Sequence, residues 1–510
     1  MLARAHTFTI EGLQTRHVTV EVDVRPGLAA FTIVGLADAA VREALERVRA
    51  AILNSGFEFP GSRITANLAP GNVPKAGPGV DLALACAVLA ASGQLPSERL
   101  ATHALLGELA LGGELRPCDG TLAVALAAHE RGMRALIVAA ARCQEAHLVS
   151  GLQVVPAERL SSAVRVLRGG PADRVRAGDQ VRGPRRGSAA AQPDLSDLRG
   201  QHHAVRTLVI AAAGDHNCLL SGPPGTGKTM LAHRLPSILP PLSRSEALEV
   251  TRLRSVLGSA PSELAAVRPF RAPHHSTTAA GLIGGGNGVW AGEAVLAHNG
   301  VLFLDELCEF ARATLDALRQ PLEEGRIAIA RARHTAVYPA RFMLVAATNP
   351  CSCGYAGEAE RCSCSEVELA RHRRRLSGPL IDRIDLLAQL ARPRSNAAGE
   401  ASLTSSAVAR ERVIVARERQ ARRLAGEGIL ANSHMNGAML ERHVRLDARG
   451  EELLRRTRES GLLSTRGQHR ALRVARTIAD LRGGEQLLAR DLGAALALRP
   501  EATLAANRAA

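Results

Sequence analysis

Between Thr7 and about residue 167 the chain switches between two hydrophobic periods. Residues 18–24 (VTVEVDV) and 30–34 (AFTIV) carry apolar side chains at every second position, the pattern of a half-buried strand. Residues 37–55 repeat them every three to four positions, as an amphipathic helix does. Residues 81–91 form a second, more uniformly apolar helix, and 134–138 a further strand. Residues 1–168 are therefore expected to be an α/β or α+β domain. The periodicity stops at 169–193 (GGPADRVRAGDQVRGPRRGSAAAQP), which reads as a flexible basic linker. Order resumes at Asp194. From there to 392, strands and helices alternate as a parallel sheet requires, and 393–510 is nearly all helical in pattern and heavily charged, a small lid. No repeat at solenoid periods is present.

A chain of 510 residues exceeds what one core usually serves, in agreement with this division. No stretch approaches the roughly 20 apolar residues that crossing a bilayer needs. The opening MLARAHTFTIEG has neither a sustained apolar core nor a small-residue cleavage site, so no signal peptide and a cytoplasmic location are expected. The nine cysteines are then reduced and available as thiols or metal ligands. The net charge of +15 suits a polyanionic partner such as nucleic acid. Its makeup is more telling: two lysines, Lys75 and Lys228, stand against sixty-two arginines. Lysine survives in such a chain chiefly where a compact ammonium is needed and a planar guanidinium will not fit.

Lys228 lies in such a place. The apolar strand 218–221 runs into Gly222, Pro223, Pro224, Gly225, Thr226, Gly227, Lys228 and Thr229, and a helical run follows from Met230. This is G-x-x-x-x-G-K-T in its strand–loop–helix setting, in which backbone N–H groups close around phosphates at a helix N-terminus. Lys228 supplies a point charge to the β/γ-phosphates of ATP, and the Thr229 hydroxyl a ligand to Mg²⁺. The run 301–306 (VLFLDE) is a buried strand ending in two carboxylates. Asp305 is suited to hold Mg²⁺ through water, and Glu306 to orient and polarise the attacking water. A third apolar strand, 343–347, delivers Thr348 and Asn349 at its carboxyl end, where ligands of open α/β sheets bind, so Asn349 can reach the γ-phosphate or the lytic water. Cys351, Cys353, Cys362 and Cys364 form CxC-x8-CxC. Four soft ligands at that spacing suit tetrahedral Zn²⁺; reduced structural thiols or a redox-labile pair are the alternatives.

The order of these motifs, with RPFRAPHHSTTAAGLIGGG, AHNGVLFLDEL, LRQPLEEGRIAIAR, AATNPCSCG and SGPLIDRID, resembles the magnesium-chelatase-like AAA+ proteins, and within them the competence-associated ComM/YifB branch. The likeness runs from about Thr7 to Leu481 and is most specific between Gly200 and Leu386. It implies that 222–229 is the Walker A segment, Asp305 and Glu306 the Walker B acids and Asn349 sensor 1. It further implies that Arg383 is an arginine finger reaching the neighbouring subunit's ATP and Arg466 the sensor-2 arginine, although RGQHR departs from the aromatic-containing version usual in relatives. A fixed cation at either place stabilises charge developing on the γ-phosphate. A finger acting in trans requires oligomerisation, and the resemblance implies a closed ring of six subunits.

In such a ring the two alternating strands of 325–342 form a hairpin whose tips, with Arg331, Arg333 and His334, line the pore and contact DNA phosphates without reading bases. A hairpin that only buttresses the subunit interface is the competing reading. The segment 268–288, with Arg271, His274 and His275, is a second pore-loop candidate; its histidines read as hydrogen-bonded structural groups rather than metal ligands. Residues 1–168 resemble the Lon-type peptidase fold through PKAGPGV and GGELRPCDG. Gly79 stands where the proteases carry serine and Arg116 lies in the region of their lysine, so a Ser–Lys dyad cannot form. A scaffold or DNA-contact role remains, with Lys75 a phosphate-binding candidate. The leading expectation is a hexameric ATPase that drives branch migration or unwinding of branched DNA in recombination during transformation. A chelatase motor subunit or a protein-remodelling machine are the alternatives.

Overall fold

The computed structural model describes residues 1–34, 39–71, 78–173, 193–285, 291–331, 334–356, 360–376, 380–392, 404–461 and 463–499. Alternating valines in the first strands set up a mixed sheet. β1 (Leu2–Glu11) and β2 (Gln14–Arg25) pair antiparallel from Leu2↔Asp23 to Glu11↔Gln14, turned at Gly12 with φ +62°. β3 (Ala30–Val34), β4 (Arg63–Ala69) and β5 (His103–Leu106) follow. A small hairpin of β6 (Glu108–Leu109) and β7 (Leu115–Arg116) precedes β8 (Ala135–Ala139) and β9 (Gln153–Ala157). The seven-stranded order is β3-β4-β2-β1-β5-β8-β9. Along β5 and β8, Leu105 and Ile137 enter one core while Ala104, Leu106, Leu136 and Val138 enter the other. The helix Asp81–Ala91, buried at every position, fills the first side, and Thr121–Glu130 fills the second.

Two compact units divide the chain. The first comprises Met1–Ser188, Arg244–Ala265 and Ala328–Tyr338; the second comprises Ala189–Ser243, Ala266–Ile327 and Pro339–Ala510. Two segments from within 194–392 thus fold with the N-terminal domain rather than with the parallel sheet. Buried hydrogen bonds explain the first of them. Glu145, 1% exposed, accepts from Leu122 N–H (3.0 Å), Arg142 (3.1 Å) and the hydroxyl of Ser255 in the helix Arg244–Val256. Arg142 also donates to the carbonyl of Ser259 (2.6 Å), and Arg252 to that of Leu13. A buried carboxylate left without these donors would be costly, so the helix is fixed where they are. Of the predicted linker, 174–192 lies outside the described residues; Asp173, just before it, accepts from Glu158 N–H (3.0 Å) and Arg165.

The second unit is built on a wholly parallel sheet of β10 (Cys218–Ser221), β11 (Phe270–Arg271), β12 (Gly300–Leu304), β15 (Phe342–Thr348) and β16 (Leu386–Gln389), ordered β11-β12-β15-β10-β16. β13 (Arg326–Arg331) and β14 (His334–Pro339) form the separate two-stranded hairpin. Every residue of β12 is buried, the near-continuous apolar run expected of a strand covered on both faces. Because β15 lies between β12 and β10, the ends of the three strands named in the sequence sit side by side. The helices Ser406–Arg423, Thr465–Arg482 and Ala489–Ala497 share this unit's core through Val413, Leu472 and Leu492. Among the described residues no helix is long and apolar enough to cross a membrane.

Candidate active site

The loop leaving β10 uses its glycines in two different ways. Gly225 and Gly227 have φ of +76° and +89°, with open space where a side chain would be, so conformation alone demands glycine there. Gly222 is held by crowding: a Cβ there would lie 2.4 Å from the carbonyl oxygen of Leu390, where the chain leaving β16 bonds to Ser221. Thr226 closes the loop by donating to Pro223 O at 2.8 Å. Beyond Gly227 the helix Lys228–Ile238 starts, two residues earlier than its sequence pattern predicted. Its free N–H groups face the loop, an arrangement suited to phosphate.

The predicted residues come together here. Lys228 Nζ donates to Gly222 O (2.7 Å), Pro223 O (3.0 Å) and Asn349 Oδ1 (3.0 Å). Partial burial lowers its pKa, against the opposing pull of Asp305 and Glu306. Thr229 Oγ1 donates to Asp305 Oδ2 at 2.7 Å. A hydroxyl and a carboxylate oxygen this close, at the carboxyl end of β12, are hard donors that fit a Mg²⁺ keeping most of its water. Glu306 follows at φ +51°, its N–H bonded to Asp305 Oδ1 (2.9 Å). Its Oε2 lies 3.3 Å from His275 Nδ1. Asn349 follows directly on β15, its carbonyl 2.9 Å from Nε2 of the buried His372 on the helix Glu366–Leu376.

His275 and His372 were not assigned to the site from sequence; the only signal was a paired histidine near one motif and a basic helix after the cysteines. Gln201 was missed altogether: its Nε2 bridges Thr226 O (3.3 Å) and Ala391 O (2.7 Å), tying the loop to the chain after β16.

Other predicted residues stand elsewhere. Arg383 lies in the turn Ile381–Arg383 before β16 and donates to Glu323 of its own chain, with Asn217 Nδ2 on its carbonyl at 2.9 Å. Arg466 is exposed in the first turn of Thr465–Arg482. Arg470, one turn on, reaches Asp385 at 3.7 Å. Arg331 ends β13 and His334 begins β14; Arg333 and Lys75 lie outside the described residues. A Cβ on Gly12 would lie 3.1 Å from Val337 O, so β14 runs close against the β1–β2 turn. A Cβ on Gly79 would meet Leu106 at 3.1 Å and Cys118 Sγ at 3.7 Å, and Arg116 pairs with Glu108 at 3.3 Å.

The four cysteines converge as their spacing predicted. All four sulfurs lie within 4.8 Å of one another, with Cys351–Cys353 at 3.3 Å, Cys353–Cys362 at 3.7 Å and Cys351–Cys362 at 4.0 Å. A tetrahedral site with metal–sulfur bonds of about 2.3 Å has edges of about 3.8 Å, so the cluster can hold a metal. The N–H groups of Ala356 and Cys353 donate to Cys351 Sγ (3.1 Å) and Cys364 Sγ (3.4 Å). The backbone N–H of Tyr355 and the Cys351 thiol bring Cys353 down to about 6, whereas bonds from the neighbouring thiols raise Cys362 and push Cys364 up to about 12.

Comparison with known proteins agrees with this geometry. Residues 194–398 match the family described as magnesium chelatase, subunit ChlI. Residues 20–142 match subunit ChlI of Mg-chelatase, and 403–499 the ChlI C-terminal family. The chain is 44% identical over 503 residues to an uncharacterised protein of Mycobacterium tuberculosis, covering 98% of each chain. It is 43% identical over 485 residues to YifB of Escherichia coli, covering 94% of this chain and 93% of that one. Over 506 residues it is 42% identical to the competence protein ComM of Haemophilus influenzae, covering 98% and 97%.

Proposed function

We propose, because this chain belongs to the magnesium-chelatase ChlI family and to its ComM/YifB branch, that it is an ATP-hydrolysing ring motor that acts on DNA. The observation that carries the ATPase reading is the convergence of Lys228, Thr229, Asp305 and Asn349 at one sheet edge, with bonds of 2.7 and 3.0 Å. Lys228 and the N-terminus of its helix hold the β/γ-phosphates. Thr229 and Asp305 hold Mg²⁺, which neutralises charge on the phosphate oxygens. Glu306 orients a water and accepts its proton, and Asn349, already against Lys228, reaches the γ-phosphate or that water. Arg383 of the adjacent subunit and Arg466 in the helical lid complete the charge stabilisation, which makes a homo-hexamer the working form.

DNA is the favoured track because the chain is strongly basic and because the hairpin bearing Arg331, Arg333 and His334 lies between the Walker B strand and the sensor-1 strand, where hydrolysis can move it. The competence name of the Haemophilus influenzae relative supports a competence-related task, and branch migration of recombining DNA during transformation is the task proposed for this chain. The Lon-like N-terminal domain acts as a scaffold or DNA contact through Lys75, not as a peptidase, and the protein works in the cytoplasm. ATP-dependent unwinding of forked or branched DNA tests the reading. Strand separation that stops when ATP is withheld supports it. Assembled protein that hydrolyses ATP yet neither binds nor moves DNA overturns it, and a rate raised only by a protein partner favours the chelatase-like alternative.

Cys351, Cys353, Cys362 and Cys364 hold a structural Zn²⁺ that braces the loop between Asn349 and Arg383. Elemental analysis of the purified chain is expected to give one zinc per protomer, lost in Cys351→Ser. Because binding needs thiolates, zinc is also expected to leave as pH falls below the thiol range. Metal-free protein with four titratable thiols and full activity refutes the assignment.

A further inference from the structure

Residues 351–356 turn back soon after Asn349, and the turn presses onto the phosphate loop. Gly354 N–H closes it on Cys351 O at 3.0 Å. Gly354 has φ +90°, and a Cβ there would lie 2.6 and 2.7 Å from Cδ and Cγ of Pro224. Glycine is thus required twice, for the left-handed backbone and for a main chain that lies directly against the Pro224 ring. The next residue leads to a second point on the loop. Tyr355 carries the Arg392 guanidinium over its ring at 5.1 Å. Ala391, beside Arg392, accepts from Gln201 at 2.7 Å, and the same Gln201 Nε2 reaches Thr226 O at 3.3 Å. The loop is therefore braced at Pro224 and at Thr226, and both braces run to the cysteine turn. Gly225 between them has no side chain to stiffen the loop, and open space stands where one would be. The turn itself is tied to sulfur: Ala356 N–H donates to Cys351 Sγ (3.1 Å) and Cys353 N–H to Cys364 Sγ (3.4 Å).

We propose that the cysteine turn is a wall of the nucleotide site. Gly354 and Tyr355 are positioning residues that hold Pro224, and through it the phosphate-binding backbone, in the shape that receives ATP. A loop kept in its bound shape before the ligand arrives avoids the ordering cost of binding. A short turn supplies that hold poorly by itself, since every fixed residue costs backbone entropy; four thiolates joined by one metal ion supply it well. ATP affinity is thereby tied to the integrity of the cysteine cluster. The inference rests on reading 222–229 as the phosphate loop and the four cysteines as a metal site, and it deepens both readings by joining them.

Titration of the full chain with a fluorescent ATP analogue, beside phosphate release and elemental analysis, tests the contact. Gly354→Ala leaves every sulfur in place and is expected to weaken ATP binding about tenfold, with kcat at saturating ATP within about threefold of wild type. Tyr355→Phe keeps a ring under Arg392 and is expected to bind as wild type does, whereas Tyr355→Leu is expected to bind about threefold more weakly. Removing the cysteine-bound metal with a chelator, then restoring Mg²⁺ by buffer exchange, should weaken wild-type binding as Gly354→Ala does. It should add little in Gly354→Ala, because both changes act through one contact. Wild-type affinity in Gly354→Ala, equal affinity in the two Tyr355 variants, or a loss confined to kcat each overturns the proposal. If Gly354→Ala fails to fold or sheds its metal, the Tyr355 pair decides the matter. Full ATP affinity in Lys228→Ala is the separate result that removes the phosphate-loop reading, and a wild-type chain free of zinc is the one that removes the metal reading.

Discussion

Glu306→Gln is expected to reduce ATP turnover at least about 100-fold while leaving ATP binding intact. The substitution keeps the size and shape of the side chain and its acceptor oxygen but removes the group able to take a proton from water. Nothing in the binding apparatus depends on that group. Lys228 is anchored by Gly222 O, Pro223 O and Asn349, and Thr229 by Asp305. Phosphate release under saturating ATP, beside titration with a fluorescent ATP analogue, separates the two effects. Unchanged affinity with lost turnover identifies a residue acting only on the transition state. A variant that turns over within threefold of wild type would remove Glu306 from the mechanism. Equal loss of binding and turnover would make it a structural neighbour of Asp305.

That prediction is legible in the sequence because the candidate nucleotide site is written locally. Strand Cys218–Ser221, strand Ala30–Val34 and helix Asp81–Ala91 fall where hydrophobic period placed them, since each is decided by residues within a turn or two of one another. The glycine-lysine-threonine loop is similarly self-contained. Pairings across long separations were not legible. The pattern read from Thr7 omits the first half of β1. Nothing in the helix Arg244–Val256 announces that Ser255 will bond to Glu145, 110 residues away, and so draw it into the first unit.

Histidines failed for a related reason. His275 and His372 look alike in sequence, each a polar residue in a basic stretch. Only the fold brings one to Glu306 and the other to the carbonyl of Asn349. The cysteines succeeded because their four sulfurs need only a short loop to meet. The path from that loop through the helix Glu366–Leu376 and His372 to Asn349 had to be seen.

Arg383→Ala is expected to lower turnover about 1000-fold, the scale on which an arginine finger acts, and mixing variants tells where that arginine works. In its own chain Arg383 is largely covered, bonded to Glu323, and sits on a turn whose carbonyl Asn217 fixes. On the proposed reading a neighbour's γ-phosphate competes with Glu323 for the guanidinium, so that the finger engages only when nucleotide arrives next door. Arg383→Ala protomers keep Glu306, and Glu306→Gln protomers keep Arg383, so each homo-oligomer is inactive. In an equal mixture about a quarter of the interfaces join an intact Glu306 to an intact neighbouring Arg383, given random assembly of a closed ring. Turnover well above both parents is then expected after co-assembly. If the mixture stays as inactive as its components, Arg383 serves its own subunit, and the requirement for a ring loses its chemical basis.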